Sequence, residues 1–258
     1  MTISKKGTKR MRKSLIFILM AGAILLVLAR PSFGRWFLDA ENGAVFSGYN
    51  EVEIPRDTGT RFSLSEELKT DQAYFFRLRL GYQWKLRHTI SVVAAPLKVK
   101  TAGSLDRPLF FYEELFPAGT LLRGRYKFNS YRLTYRYDFI RKGRFQIGAG
   151  LTAKIRDAAI KIEGDGLSST KTNVGFVPLI NLRLFWQFYD RWGLLLEGDG
   201  AVAKQGRAED FLLALQWNVR DNLSLKLGYR LLEGGADVEE VYNFSLLHYL
   251  SAGLTFSF

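Results

Sequence analysis

Strict alternation of apolar and polar residues is the feature that most limits what this chain can fold into. It is clearest at the C-terminus, where one face of a predicted strand carries only apolar side chains: Leu250, Ala252, Leu254, Phe256 and Phe258. Side chains of a β-strand point alternately to the two sides of a sheet, so a period of two predicts a strand with one apolar face. The same period recurs in ten segments from Trp36 onward, and no stretch shows a sustained helical pattern. The sequence therefore predicts an all-β fold.

The links between the ten predicted strands alternate in length. Short links are predicted at 85–87, 141–143, 190–192 and 220–222. Longer links are predicted at 49–71, 102–119, 164–172 and 233–243, and the link at 204–206 is the exception in length. An up-and-down meander places all short links at one end and all long links at the other, as in membrane barrels. We therefore expect an up-and-down antiparallel transmembrane β-barrel of about ten strands.

Two predicted strands show a change of phase in their apolar residues. In one the change lies near Asn129, and in the other it lies near Asp157. An extra residue in one strand of an antiparallel pair shifts every later side chain to the opposite face. The sequence therefore predicts a β-bulge at each of these two positions.

All five tryptophans fall at the end of the predicted barrel that carries the short links: Trp36, Trp84, Trp186, Trp192 and Trp217. An indole combines an apolar ring with a polar N–H, and it suits the headgroup level of a membrane. Girdles of aromatic residues flank the apolar band of membrane barrels. Alternation alone fits equally a soluble barrel or sandwich with inward apolar rows. The placement of the tryptophans favours the membrane barrel.

The N-terminal segment has the composition of an export signal. Seven of the 37 basic residues lie before position 35, no acidic residue precedes Asp39, and residues 15–29 are apolar apart from Gly22. This order predicts a cleavable signal peptide over 1–34, followed by the barrel over 35–258. An uncleaved anchor is the alternative, although the apolar run is shorter than the roughly 20 residues that a spanning helix needs. Removing the segment lowers the net charge from +12 to +5, which weakens the case for a nucleic-acid partner.

The end of the chain carries the most specific resemblance. A terminal Phe258, preceded by alternating apolar residues, resembles the C-terminal signal of Gram-negative outer-membrane β-barrels. The resemblance implies a location in the bacterial outer membrane, among its lipids and lipopolysaccharide. It also implies the barrel-assembly machinery and periplasmic chaperones as partners during biogenesis. A further partner bound by the outer loops is left open, and no nucleic acid is expected.

The predicted inner face of the barrel carries charges of both signs: Asp39, Glu41, Arg77, Arg79, Arg132, Arg136, Asp138, Lys154, Arg156, Arg183, Glu197, Asp199, Lys226 and Arg230. A barrel of ten strands is only slightly wider than one that side chains fill completely. Unpaired charges in such a narrow space would be costly, so we expect these groups to pair and to fill the lumen. An ion or small-solute path is the alternative, and the excess of basic residues would favour anions in it.

Candidate catalytic residues are few. The chain has no cysteine and two histidines, His88 and His248, so we expect no metal, cofactor or catalytic residue. The ten-stranded omptin proteases have a similar strand count, but their pairing of His with Asp at the outer rim is absent. Ser245 and Ser251 lie three residues from His248, and such residues point to opposite faces of a strand. A structural or loop-binding role is therefore expected, with a small-solute channel and a hydrolase of lipid A or peptides as alternatives.

The second long link contains a concentrated group of large apolar residues: Phe110, Phe111, Tyr112, Leu115 and Phe116. An exposed apolar patch of this kind is typical of a surface that contacts a partner or the outer lipid layer. The alternative is a lid that folds over the mouth of the barrel and buries the same side chains.

Overall fold

The computed structural model describes residues 34–258, which form fifteen β-strands. The predicted signal peptide therefore lies outside the described residues except for Gly34, which begins the first strand. In chain order the strands are β1 (Gly34–Glu53), β2 (Phe62–Ser63), β3 (Lys69–Thr70), β4 (Ala73–Trp84), β5 (His88–Ala95), β6 (Lys98–Gly103), β7 (Leu109–Phe111), β8 (Glu114–Phe116), β9 (Leu122–Lys142), β10 (Phe145–Gly164), β11 (Leu167–Trp186), β12 (Trp192–Ala203), β13 (Gly206–Arg220), β14 (Leu223–Val238) and β15 (Val241–Ser257).

The long strands form a closed antiparallel barrel. Each wall strand pairs with the next along the chain, and β15 pairs with β1 from Ser257 opposite Phe37 to Tyr242 opposite Glu53. Strands β5 and β6 both pair with β9 and act as one wall strand, interrupted where Pro96 removes a backbone donor. The wall therefore has ten strands and no free lateral edge along the β1–β15 seam. The predicted ten-stranded all-β barrel is confirmed.

Residues 34–258 contain no helix with the length and apolar character needed to cross a membrane.

The two ends of the barrel differ in their connections. At one end, here called the inner end, the links are short and fall at 85–87, 143–144, 187–191 and 221–222. At the outer end, two long loops connect β1 to β4 and β6 to β9. The long links predicted at 164–172 and 233–243 are wrong, because the strands continue outward there and end in tight turns. In the first of these turns Asp165 and Gly166 both have positive φ, as the favoured two-residue hairpin requires.

The outside of the wall is apolar over its middle section. On β13 the side chains of Leu213 and Leu215 are exposed, whereas those of Leu212 and Ala214, which alternate with them, are buried. Similar exposed rows occur on the other long strands, with Leu151 at 71% and Leu227 at 68% exposure. Contiguous apolar rows of this extent are unfavourable in water. This surface therefore matches a hydrocarbon surrounding, as in a membrane barrel.

The structure places the five tryptophans at the inner end. Trp84 pairs with Gly34, Trp36 with Tyr82, and Trp192 with Trp217, all within a few residues of the inner turns. The Trp192 and Trp217 rings stack at 5.6 Å between centroids. Together with Trp186, opposite Phe145 at the start of β10, they line one rim of the barrel.

The outer third of the barrel interior is an apolar core. The hairpin β7–β8 in the second long loop inserts Phe111 and Phe116, and the first long loop contributes Phe62, which contacts Phe111 edge-to-face with 6.1 Å between centroids. Wall residues such as Ile162 and Leu247 complete this core, and all five side chains are at most 1% exposed. The second loop is therefore a lid folded over the mouth rather than an exposed patch, although Leu115 stays at its surface.

The predicted bulges near Asn129 and Asp157 are wrong. These two residues lie opposite each other in a continuous register between β9 and β10, and the only shift in that pair falls between Ile147 and Gly148. The apparent change of phase has another cause. Above the apolar band the inner face becomes apolar and the outer face becomes polar, so the pattern inverts while the strand stays regular.

Candidate functional site

The middle of the lumen is filled by charged side chains, and Asp210 lies at their centre. Asp210 is 2% exposed and accepts hydrogen bonds from three guanidinium groups on three different strands. Arg77 reaches it from β4 at 3.0 Å, Arg230 from β14 at 2.5 Å, and Arg132 from β9 through a short contact. One carboxylate thus joins strands on several sides of the barrel.

A second centre is Glu41 on β1, which is fully buried. Its carboxylate accepts from Arg230 Nη2 at 2.7 Å and from Lys226 Nζ at 2.9 Å. Lys226 also donates to Asp39 at 2.7 Å, and the Thr255 hydroxyl donates to the same carboxylate at 2.7 Å. Because Arg230 contacts both Glu41 and Asp210, the two centres form one network.

The network extends to β12 through two further carboxylates. Asp199 accepts from Arg132 at 2.5 Å, and it also accepts from the Thr152 hydroxyl at 2.7 Å and the Asn181 amide at 2.8 Å. Glu197 pairs with Arg79 at 2.8 Å. Charge-assisted hydrogen bonds of this kind are the strong ones, and several partners per carboxylate offset the cost of burial. The charged layer therefore cross-links the wall from inside.

Little free space remains within this layer. On its outer side, a void of about 20 Å³ lies among Arg77, Asp210 and Tyr249, which is room for about one water molecule. From the inner end a cavity of about 230 Å³ extends to Asp39 and Glu197 and ends there. Above the void, the apolar core of the outer loops closes the mouth. Two successive layers thus obstruct the lumen.

The structure places all fourteen predicted lumen residues on the inner face. Twelve of them form ion pairs with one another or with Asp210, and Arg136 with Asp138 at 2.9 Å is the pair nearest the inner end. Lys154 and Arg156 differ, because no carboxylate of the described residues lies within ion-pair distance of either. Both of these residues line a separate cavity.

Sequence reasoning missed Asp210, the most connected acid of the network. The signal was weak because its neighbours on the inner face of β13, Leu212 and Ala214, are apolar. The alternation therefore does not show that Asp210 points into the lumen. Gln216 and Asn218, on the same face, are the polar residues that could have revealed it. The hydrogen-bonding residues Thr152 and Asn181 were missed for a different reason, since an uncharged side chain does not stand out on a strand.

The candidate hydrolase residues are not brought together. Ser245 faces inward and its hydroxyl lies 3.2 Å from that of Tyr126, while Ser251 donates to Glu41. His248 lies on the outer face of the wall, where its ring stacks on Tyr229. Within residues 34–258, no group of three or more His, Cys, Asp or Glu side chains is arranged to hold a metal ion.

The C-terminal residues lie along the barrel seam. The backbone N–H of Phe258 donates to the carbonyl of Trp36 at 2.9 Å, and the N–H of Trp36 donates back at 3.0 Å. The alternating side chains of the proposed assembly signal project outward from β15: Leu250, Ala252, Leu254 and Phe256. Their recognition by an assembly machinery stays a prediction.

An ion pair ties the two long outer loops together. Arg107 of the second loop contacts Glu67 of the first at 2.6 Å, and Glu67 also accepts from the backbone N–H of Ser63. The hydrogen bond from the Arg107 guanidinium lowers the pKa of the Glu67 carboxyl below its ordinary value. The folded loop therefore holds this carboxylate in its charged form.

Comparison with known proteins shows the fold and leaves the activity open. The structure is similar to the outer membrane protease OmpT from Escherichia coli, with a TM-score of 0.53, 10% identity, and coverage of 87% of this chain and 97% of that one. It also matches Neisserial surface protein A (TM-score 0.38, 15% identity, 86% and 97% coverage) and the attachment invasion locus protein Ail of Yersinia pestis (0.39, 11%, 86% and 99%). No protein-family model and no curated protein matches the chain. The chain has the fold of an outer-membrane β-barrel.

Proposed function

We propose that this chain is an integral barrel of the bacterial outer membrane with a closed lumen and no enzymatic activity. Its role is then structural, or it lies in binding through the outer loops. The closed wall satisfies the backbone hydrogen-bonding groups along the seam, which hydrocarbon demands. The exposed apolar rows and the rim of tryptophans support the same placement. Lipids and lipopolysaccharide would surround the barrel, and assembly factors and chaperones would act only during its biogenesis.

The observation that carries the closed lumen is the ion-pair network around Asp210. Arginines from β4, β9 and β14 converge on this single carboxylate and cross the lumen. A permeating ion would have to separate these pairs in a space with room for about one water molecule. Such a separation leaves buried charges uncompensated, at a cost of several kcal/mol. A small-solute channel is therefore disfavoured.

The outer loops suit a binding role because they are held in a fixed conformation. Their apolar side chains are buried in the core of the lid, and Glu67 and Arg107 link one loop to the other. At the surface, Arg61 lies over the ring of Tyr242 at 4.3 Å from the centroid. A rigid surface of this kind loses little conformational entropy when it binds a partner.

Electrical recording in planar lipid bilayers tests the closed lumen. We expect the wild-type protein to produce no conductance steps above the background of the protein-free membrane. A general porin inserted under the same conditions serves as the positive control. Insertion of the folded barrel is checked separately by heat-modifiable migration in detergent gels. Uniform, reproducible conductance steps from the folded wild-type protein would contradict the proposal and favour the small-solute channel instead.

A further inference from the structure

The barrel wall has a lateral gap near its outer end. Strand β12 pairs with β11 only from Ile180 to Trp186, and the β12–β13 hairpin turns back at 204–205. Strand β11 continues outward from there to Leu167 and pairs on that stretch only with β10. Within the described part of the chain, residues 167–179 therefore pair with no strand on their other side, and the wall has a window above the short hairpin.

Contacts of Lys171 close the upper edge of the window, and the outer surface of the wall beside the window is apolar. Above it, the Lys171 ammonium pairs with Glu240 of the β14–β15 turn at 2.9 Å and lies over the Tyr112 ring of the lid. Beside it, Phe176 of β11 and Val202 of β12 project outward at 65% and 77% exposure. Exposed apolar residues at this height indicate that the lipid layer reaches the lower edge of the window.

A cavity of about 470 Å³ lies behind the window. Its walls are largely apolar, with Phe128, Ile160, Val177 and Leu232 among the lining residues. This volume lies within the range of sites for small organic molecules, which combine apolar walls with a few polar groups.

The polar groups at the inner side of the cavity are two cations without an acid. Lys154 is 3% exposed, and its ammonium lies 5.0 Å from the centre of the Phe128 ring. Arg156 donates to the amide oxygen of Asn173 at 2.6 Å, while its Nε is buried and has no hydrogen-bond partner in residues 34–258. Among the described residues, neither cation has a carboxylate within ion-pair distance, in contrast to the rest of the lumen.

The acids on the rim of the cavity do not fill this role. Glu233 is bound by Arg207 at 2.7 Å, and Glu240 is bound by Lys171. Glu209 and Glu239 also line the rim, beyond ion-pair distance of Lys154. Asp210 and Asp199 of the network attract Lys154 only from beyond ion-pair distance. A buried cation without a carboxylate in contact is costly, and an anionic ligand would offset that cost.

We propose that this cavity binds an anionic amphiphile, a molecule with one carboxylate or phosphate group on an apolar chain, which enters through the window from the lipid layer. The anionic group lies between Lys154 and Arg156, and the apolar chain occupies the space lined by Phe128, Ile160 and Leu232. Because the ion-pair network separates this cavity from the inner end, the ligand leaves by the path through which it enters.

Binding of decanoate to the protein in phosphatidylcholine nanodiscs tests the proposal. We expect saturable binding to the wild-type protein above the level of partition into protein-free discs. Lys154→Met should weaken this binding roughly 10- to 100-fold, since it removes a charged hydrogen-bond donor. The matched control is Lys161→Met on the same strand. The Lys161 side chain pairs with Glu163 away from the cavity, so this variant should bind decanoate as the wild type does.

Two other probes separate the sources of the ligand. Decanol should bind wild type and Lys154→Met with equal, weaker affinity, and acetate should show no detectable binding. Acetate binding that equals decanoate binding would instead assign the cavity to a water-borne anion, against the proposal.

A second variant keeps the proposal testable if the charge substitution alters the fold. Ala158→Leu fills part of the cavity without changing its charges, and it should abolish decanoate binding while the barrel retains heat-modifiable migration. Decanoate binding that persists unchanged in both Lys154→Met and Ala158→Leu would overturn the proposal. The closed lumen does not depend on this result.

Discussion

Asp210→Asn is expected to lower the free energy of unfolding of the barrel by about 3–5 kcal/mol. The amide has nearly the same shape as the carboxylate, so packing is preserved and the charge alone is lost. Arg77, Arg132 and Arg230 would then remain buried with one counter-ion fewer, and they would repel one another. Unfolding in urea from phospholipid vesicles, followed by tryptophan fluorescence and gel migration, measures the change.

The matched control is Glu209→Gln, one position earlier on the same strand. Glu209 makes no ion pair within the described part of the chain, so its replacement should change the free energy of unfolding by less than about 0.5 kcal/mol. A second change gives a sharper test. Combining Asp210→Asn with Arg77→Met removes a stranded cation whose one ion pair within the described residues is with Asp210, and should recover part of the loss. Asp210→Asn with the stability of the wild type would show that the network does not hold the barrel together.

Phe111→Ala is expected to open the lid over the outer mouth. The Phe111 side chain is fully buried and contacts Phe62 edge-to-face, so truncation creates a cavity at a cost of about 3–5 kcal/mol. The lid is built from loops, and the cost should therefore appear as local opening rather than as unfolding of the wall. A protease specific for glutamate, acting at Glu113 in the β7–β8 turn and at Glu114 at the start of β8, should cut the variant much faster than the wild type.

Phe110→Ala is the matched control for the lid. Phe110 is the neighbouring residue in the same hairpin, and it is only partly buried. We expect this variant to resist the protease nearly as well as the wild type. Equal cleavage of the Phe110 and Phe111 variants would indicate that the hairpin is not anchored by the buried phenyl ring.

The sequence predicted the part of the barrel that faces lipid, and it failed where the surroundings change. Within the apolar band, outward apolar rows alternate with inward polar residues, and this contrast locates each strand. Above the band, Tyr126 faces an apolar interior and Lys127 faces outward, so the pattern inverts without a bulge. The extended outer parts of β10, β11, β14 and β15 were missed because they face water over an apolar core. A strand in these surroundings need not carry the outward apolar and inward polar rows that locate the strands of the apolar band.

The pairing of the charges could not be predicted from the chain. The alternation of side chains along each strand identifies which of them face inward, but their partners depend on strand register and on contacts across the lumen. Arg230 pairs with Glu41, which lies nearly two hundred positions away along the chain. Lys154 faces inward like the paired cations, yet it contacts the Phe128 ring and not a carboxylate of the described residues. The lid depended likewise on a contact between two separate loops, which alternation along one strand does not reveal.

The closed lumen is tested most directly by chemical access to its middle. The chain has no cysteine, so a single Thr134→Cys places one thiol in the charged layer, where Thr134 is 7% exposed and hydrogen-bonded to Thr152. Asp165→Cys, on an outer turn, serves as the accessible control. With a membrane-impermeant maleimide added to both sides of vesicles, we predict complete labelling at position 165, and labelling at position 134 only after unfolding. Equally rapid labelling of both thiols in the folded barrel would contradict a sealed interior.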